Sequence, residues 1–119
     1  KIKILGYVSE EKKQELFAES EMMVLVSKEE GFGFPILEAW DAELSMLVSD
    51  IPVLKEIGGD AVLYCDSESV EDISEKMKKL VGTSRDLSLV EKLIKNGNER
   101  IKKFSWKKTT EKYLNEILK

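Results

Sequence analysis

Two glutamates bracket a glycine turn in the stretch EEGFGFPILEAW, residues 29–40, where Glu30 and Glu38 stand on either side of Gly31, Gly33 and Pro35. Glycine at 31 and 33 permits positive φ angles and lets a ligand approach the backbone with no Cβ in the way. Pro35 suits the first position of a helix, where its missing N–H costs nothing. A helix start offers unpaired N–H groups and a partial positive charge, and both attract anions. Glu38, expected in the first turn of a helix beginning at Pro35, is stabilised there as a carboxylate and only accepts hydrogen bonds. The vicinal hydroxyls of a ribose are two donors suited to its two oxygens. Glu30 is placed to face a sugar hydroxyl while the amides between the two glutamates hold a phosphate. The plainer alternative stays open: a surface Glu30, and a Glu38 that only helps the helix start. The glycine spacing matches neither the GxxxxGK phosphate loop nor the GxGxxG dinucleotide fingerprint, so the glycines alone identify no phosphate site.

The elements that must position this turn read as an alternation. Lys1 to Leu5 is strand-like and ends at Gly6. Ser9 caps a helix over SEEKKQELFAES, with Leu16 and Phe17 as its buried stripe. MMVLV, Met22 to Val26, is a continuous apolar run expected of a strand covered on both faces. The glycine turn and a helix from Pro35 to Ala42 follow, then a buried strand over Ser45 to Asp50 and a short helix from Pro52 through Ile57. Gly58, Gly59 and Asp60 break that helix before a strand over Ala61 to Cys65. Ser69 caps a helix to Val81, with Ile73, Met77 and Leu80 on one face; two further helices are expected over Asp86 to Lys103 and, capped by Ser105, over Trp106 to Leu118. Strand and helix in strict alternation predict an α/β fold, a parallel sheet wrapped by helices. In such sheets ligands bind beyond the carboxyl ends of the strands, and the turn from Ser27 to Phe34 lies there.

Composition narrows the chemistry. The 119 residues, 42% apolar and 35% charged, suit one domain with one core, spanning residues 1–119. No apolar run approaches the roughly 20 residues of a membrane span. The chain opens directly in KIKILG with no signal-peptide pattern, an opening expected of a segment from a larger protein. A net charge of −4 argues against nucleic acid as a partner. The basic residues Lys102, Lys103, Lys107 and Lys108 are interleaved with acids, as on a solvated helix face. Cys65 is the single cysteine; it sits in AVLYC and reads as a buried, inert thiol in a reducing compartment. With no histidine, Ser-His-Asp and Cys-His catalysis and histidine-based metal sites are excluded within these residues. Lys28 reads as a surface lysine, Trp40 and Phe34 as packing residues, Trp106 and Tyr113 as core residues of the last helix, and Phe32 as the exposed aromatic of the turn.

ESEMMVLVSKEEGFGFPILEAW resembles the donor-site segment of the retaining glycosyltransferases with two Rossmann-like domains, the GT-B architecture of the group 1 type. ILGYVSEEKKQELFAESEMMVLVS is similar to the family's strand, helix and strand before that motif, LVSDIPVLKEIGGDAVLYCD to the stretch after it, and RIKKFSWKKTTEKYL to its closing helix. The resemblance implies a three-layer Rossmann-like parallel sheet, the C-terminal, donor-binding half of a GT-B enzyme. Glu30 matches the first motif glutamate, the catalytic-site residue beside the donor sugar and the forming oxocarbenium-like centre. Gly31, Phe32, Gly33 and Phe34 match the loop whose amides contact donor sugar and phosphate. Glu38 matches the ribose-binding glutamate, and Gly6, Tyr7 and Val8 match the segment lining the nucleobase pocket. The implied activity is hexose transfer from a nucleoside-diphosphate sugar to a glycan or lipid acceptor with retention of configuration, the leaving diphosphate assisting. No metal or other cofactor is implied. The implied partners are the nucleotide sugar and an N-terminal acceptor domain of the same protein, and not nucleic acid. The implied location is the cytoplasm, with peripheral membrane contact at its cytoplasmic face where the acceptor is a lipid.

Two departures from the family pattern matter. In DAELSM, Glu43 stands where glycine is expected and Ser45 where proline is expected. The basic arginine and lysine that hold the diphosphate in the family lie upstream of the residues present here. The loss of the glycine and proline at Glu43 and Ser45 supports a second reading, a non-catalytic nucleotide-binding or scaffolding module derived from the same fold. A flavodoxin-like signalling domain is set aside, because ILGY supplies no acidic pocket at the end of the first strand.

Overall fold

The computed structural model describes residues 2–104. Three parallel strands, β1 (Met22–Leu25), β2 (Ser45–Ser49) and β3 (Leu63–Cys65), form a sheet in the order β1-β2-β3. Met22 pairs with Ser45 and Leu25 with Val48; Leu47 pairs with Leu63 and Ser49 with Cys65. The helices are α1 (Glu10–Glu19), α2 (Phe34–Asp41), α3 (Pro52–Gly58), α4 (Val70–Leu80) and α5 (Leu87–Ile101), followed by a 3-10 turn, Lys102–Phe104. This is the expected α/β architecture. The expected helix over Trp106 to Leu118, with Trp106 and Tyr113, lies outside the described residues.

The pleat of β2 divides the core. Met46 and Val48 point into a cluster with Ile36, Leu37, Ala39 and Trp40 of α2 and Leu54 and Ile57 of α3. Leu47 points the other way, to Cys65, Leu80 of α4 and Leu93 of α5. Alternate residues of a strand face opposite sides, so a strand apolar at every position must be covered on both. All five residues of β2 are buried, and the sheet is the middle of three layers.

The sequence cues set most helix starts. Ser9 accepts from the Lys12 amide, Ser69 from the Asp72 amide and Asp86 from the Leu89 amide, each at 3.1 Å. Each supplies one of the orphan N–H groups of a helix start with an acceptor. Cys65 is buried, as expected, and burial pushes its thiol pKa up, which keeps it unreactive.

Four expectations are corrected. Residues 2–8 form no strand, and Ile2 and Ile4 stand in solvent, because no neighbouring strand pairs with them among the described residues. β1 is a four-residue edge strand and is covered only in part: Met23 and Leu25 pack on the first cluster and Met22 on the second, but the strand pairs with β2 alone among the described residues, leaving Val24 and Val26 exposed. β3 begins only at Leu63, since Ala61 is still bonded back to Gly58 in the turn after α3. The helix expected to reach Lys103 ends at Ile101 and tightens into the 3-10 turn.

α5 fastens the two helices of the first cluster. Arg100 donates from Nε and Nη2 to the Ile57 carbonyl at 3.1 and 2.8 Å and from Nη2 to that of Glu56 at 3.1 Å, satisfying carbonyls at the end of α3. Asn96 donates to the Asp60 carbonyl at 2.9 Å. Gly97 faces the indole of Trp40 so closely that a Cβ there would stand 2.5 Å from Trp40 Cδ1.

Gly97→Ala therefore tests packing against propensity. Alanine favours a helix by about 1 kcal/mol over glycine, yet overpacking against a fully buried ring costs about 1–3 kcal/mol. The variant is expected to melt several degrees lower. A higher melting temperature would show that α5 does not lean on Trp40 through Gly97.

Candidate functional site

The glycine turn leaves the carboxyl end of β1 and enters α2. Gly33 is the residue before the helix, with φ 86° and ψ 37°, and its carbonyl accepts from the Ile36 amide at 2.9 Å. That left-handed conformation favours glycine, and a Cβ at this point would also stand 3.1 Å from Leu54 Cδ2. Gly31 differs: it is exposed, has open space around it and does not take a positive φ. The helix starts at Phe34, with Pro35 in its first turn.

Glu30 is half-buried, and its Oε1 accepts from Ser27 Oγ at 2.8 Å, a contact that fixes the carboxylate across the turn. Phe32, expected to be exposed, is instead partly buried: its ring lies 4.7 Å from that of Phe34 and meets Phe104 edge-on at 6.4 Å. Rings at these separations attract beyond their buried area. Arg100 sits 6.0 Å from the Phe104 ring, so the turn is tied through aromatic contacts to the end of α5. Trp40 is core, as expected, with its Nε1 donating to the Ala61 carbonyl at 3.4 Å. Lys28 is an exposed lysine paired with Glu68 at 3.6 Å, which links the loops after β1 and β3 at the carboxyl edge of the sheet.

Glu38 lies in the second turn of α2, not the first, because the helix begins one residue earlier than Pro35. Its side chain opens into a cleft of about 400 Å³ bordered by α1, α2, Ile101 and Phe104. That volume is within the range of small-molecule sites, roughly 300–1,000 Å³. In the cleft Glu38 Oε2 pairs with Lys13 Nζ at 2.9 Å, and the same ammonium meets Glu10 Oε2 at 3.3 Å. The hydrogen bond that Lys13 donates to Glu38, followed by the one it donates to Glu10, raises the Lys13 pKa. Phe104 both borders this cleft and touches Phe32, so the glycine turn and the Glu38 cleft adjoin.

Gly6, Tyr7 and Val8 are not brought onto the turn. Gly6 has φ 63°, Tyr7 is 99% exposed and Val8 is partly covered. Sequence reasoning missed three residues that touch the site. Lys13 sits on a helix whose pairing with α2 is tertiary, and Phe104 reaches the turn only through the path of α5. Ser27 was the one within reach of sequence reasoning, since it stands three residues before Glu30 at the start of a tight turn.

Residues 1–100 match the family described as Glycosyl transferases group 1. The chain belongs to that family. Among curated relatives, the Serotype-specific mannosyltransferase WbdA of Escherichia coli is 32% identical over 113 residues, which is 95% of this chain and 13% of that protein. The O-antigen chain mannosyltransferase B of Escherichia coli is 35% identical over 114 residues, 96% of this chain and 29% of that protein. The O-antigen chain mannosyltransferase RfbU of Salmonella typhimurium is 30% identical over 80 residues, 67% of this chain and 23% of that protein. The chain's matches thus span between 13% and 29% of the length of these relatives. No described helix is long and apolar enough to cross a membrane.

Against the pattern of the group 1 glycosyl transferases, Glu43 replaces an expected glycine, and the structure shows what that position requires. Glu43 has φ 57°, the one non-glycine residue in the left-handed region among those described. The Leu44 amide donates to the Ala39 carbonyl at 2.9 Å and the Glu43 amide to that of Trp40 at 3.0 Å. This is the paired closure that ends a helix with a left-handed residue, usually glycine. Ser45, in place of the expected proline, is buried, and its Oγ has no hydrogen-bond partner among the described residues. Glu43→Gly is expected to raise stability by roughly 0.5–1 kcal/mol, as relief of the left-handed cost outweighs the added chain entropy. Glu43→Val, β-branched, should lower it. Equal melting temperatures for the three proteins would contradict the strained closure.

Proposed function

We propose that this chain is the donor-nucleotide-binding part of a retaining glycosyltransferase, the C-terminal half of a GT-B enzyme that transfers a hexose from a nucleoside-diphosphate sugar to a glycan or lipid acceptor. The observation that carries this reading is the placement of Glu30 and Glu38 on either side of a left-handed glycine helix start at the carboxyl edge of a parallel sheet. The names of the relatives support mannose as the hexose and a polysaccharide as the product.

In this reading the diphosphate meets the amides of Gly31 to Phe34, and Glu38 takes the ribose hydroxyls. Glu30, braced by Ser27, faces the sugar at its reacting centre. The bond from the anomeric carbon to the diphosphate oxygen breaks. The acceptor oxygen bonds to the same face of that carbon, and its proton passes to the departing phosphate oxygen. Gly6, Tyr7 and Val8 line the nucleobase once the segment carrying them folds over the cleft. The donor is a substrate, and no resident cofactor enters the scheme. Residues 1–119 form one Rossmann-like unit, and an N-terminal acceptor domain of the same protein completes the enzyme. We place that enzyme in the cytoplasm, with peripheral membrane contact for lipid acceptors.

The non-catalytic alternative drew on Glu43 and Ser45. Glu43 keeps the left-handed closure that a glycine would make, so the loop geometry survives this substitution. That favours the enzyme reading.

Hydrogen bonds to a charged carboxylate contribute roughly 1.5–3 kcal/mol each, so Glu38→Gln is expected to weaken binding of the cognate nucleotide by about ten- to a hundredfold. Isothermal titration with UDP, GDP and ADP measures this and identifies the base. A loss smaller than about twofold against all three would contradict the ribose role.

A further inference from the structure

We propose that Lys13 is a positioning residue of the donor site, holding the Glu38 carboxylate turned toward α1 so that one of its oxygens is presented to the ribose. The inference rests on the donor-site reading given above. Lys13 lies on α1, outside the glycine turn and the helix that follows it, and nothing in the turn calls for it. Yet its ammonium is the sole cation bordering the Glu38 cleft among the described residues. It contacts Oε2 of Glu38 at 2.9 Å. Both side chains are about two-thirds to three-quarters covered, at 34% and 27% exposure, and both groups border the cavity. An ion pair at its wall orients the acceptor while leaving room for a ligand.

The second carboxylate makes Lys13 more than a spectator. Glu10 and Glu38 share one ammonium, so removing it leaves two carboxylates facing each other across a few ångströms. Like charges at that range favour the protonated form of one of them. The remaining groups around the cleft do not substitute for Lys13. α1 also supplies the neutral Gln14, α2 supplies Asp41, a further negative charge, and α5 with its 3-10 turn supplies only Ile101 and Phe104. The Lys13 pKa is raised, first by the hydrogen bond it donates to Glu38 and then by the one it donates to Glu10. Without Lys13 the repulsion between Glu10 and Glu38 is unrelieved, and ribose binding is expected to weaken as the pH falls.

The test is titration of the protein with UDP, GDP and ADP at about pH 7.5 and about pH 5. The diphosphate's own second ionisation, roughly pH 6, affects every variant alike and cancels in the comparison. Lys13→Met is expected to lose about threefold or more affinity at the lower pH beyond the loss of the unaltered protein. Lys13→Arg should keep the unaltered profile, and Glu10→Gln added to Lys13→Met should restore it by removing the opposing charge. A Lys13→Met profile parallel to the unaltered one, or no restoration by Glu10→Gln, would overturn the role of Lys13 while leaving Glu38 as a ribose ligand. If Glu38→Gln binds all three nucleotides as well as the unaltered protein at both pH values, the donor-site reading fails, and this inference fails with it.

Discussion

The contact of Trp40 with Gly97 decides where the site helix lies. α2 is only eight residues long and has no side-chain cap at its start. An isolated helix of that length is unstable in water. Its place comes from its buried face, Ile36, Leu37, Ala39 and Trp40, and the largest of these side chains fits a notch in α5 that only a residue without a Cβ can provide. The same helix carries Glu38 and receives the glycine turn. A shift of α2 on the sheet would move the helix start, the turn and the cleft together.

Around that anchored helix the polar groups are held from outside the motif. Ser27 braces Glu30 from within the turn, Lys13 braces Glu38 from α1, and Phe104 presses on Phe32 from the end of α5. Arg100 connects this last contact to the end of α3, since it bonds the carbonyls there and lies beside the Phe104 ring. Each brace comes from a different segment, so the geometry of a short glycine loop is set by tertiary structure. A loop that must approach a ligand closely has little side-chain bulk of its own to hold it in place.

Much of this was legible in the residues. The apolar runs at β1 and β2, the caps Ser9, Ser69 and Asp86, and the breaks at Pro52 and Gly59 are local signals, and they placed the alternation and the carboxyl-edge turn. The cues that failed depend on partners. KIKIL has strand character but no strand to pair with among the described residues, and MMVLV has the composition of a central strand in an edge position. Phe32 looked exposed because a glycine turn leaves side chains outside, until the end of α5 covered it. The pairing of Lys13 with Glu38 joins residues on two helices that only packing brings together. The unexpected residue at 43 was legible as a departure, but its left-handed φ needed the structure.

In the donor-site proposal, the glycine turn and the adjoining Glu38 cleft together bind the donor nucleotide. The amide chemical-shift response of the protein to UDP, GDP and ADP at millimolar concentration measures this directly. Saturable shifts are expected, clustered at Gly31 to Glu38 and extending to Lys13 and Phe104, with one base preferred. Saturable shifts confined to another surface, such as the outer face of α4, or no response to any of the three nucleotides, would contradict it.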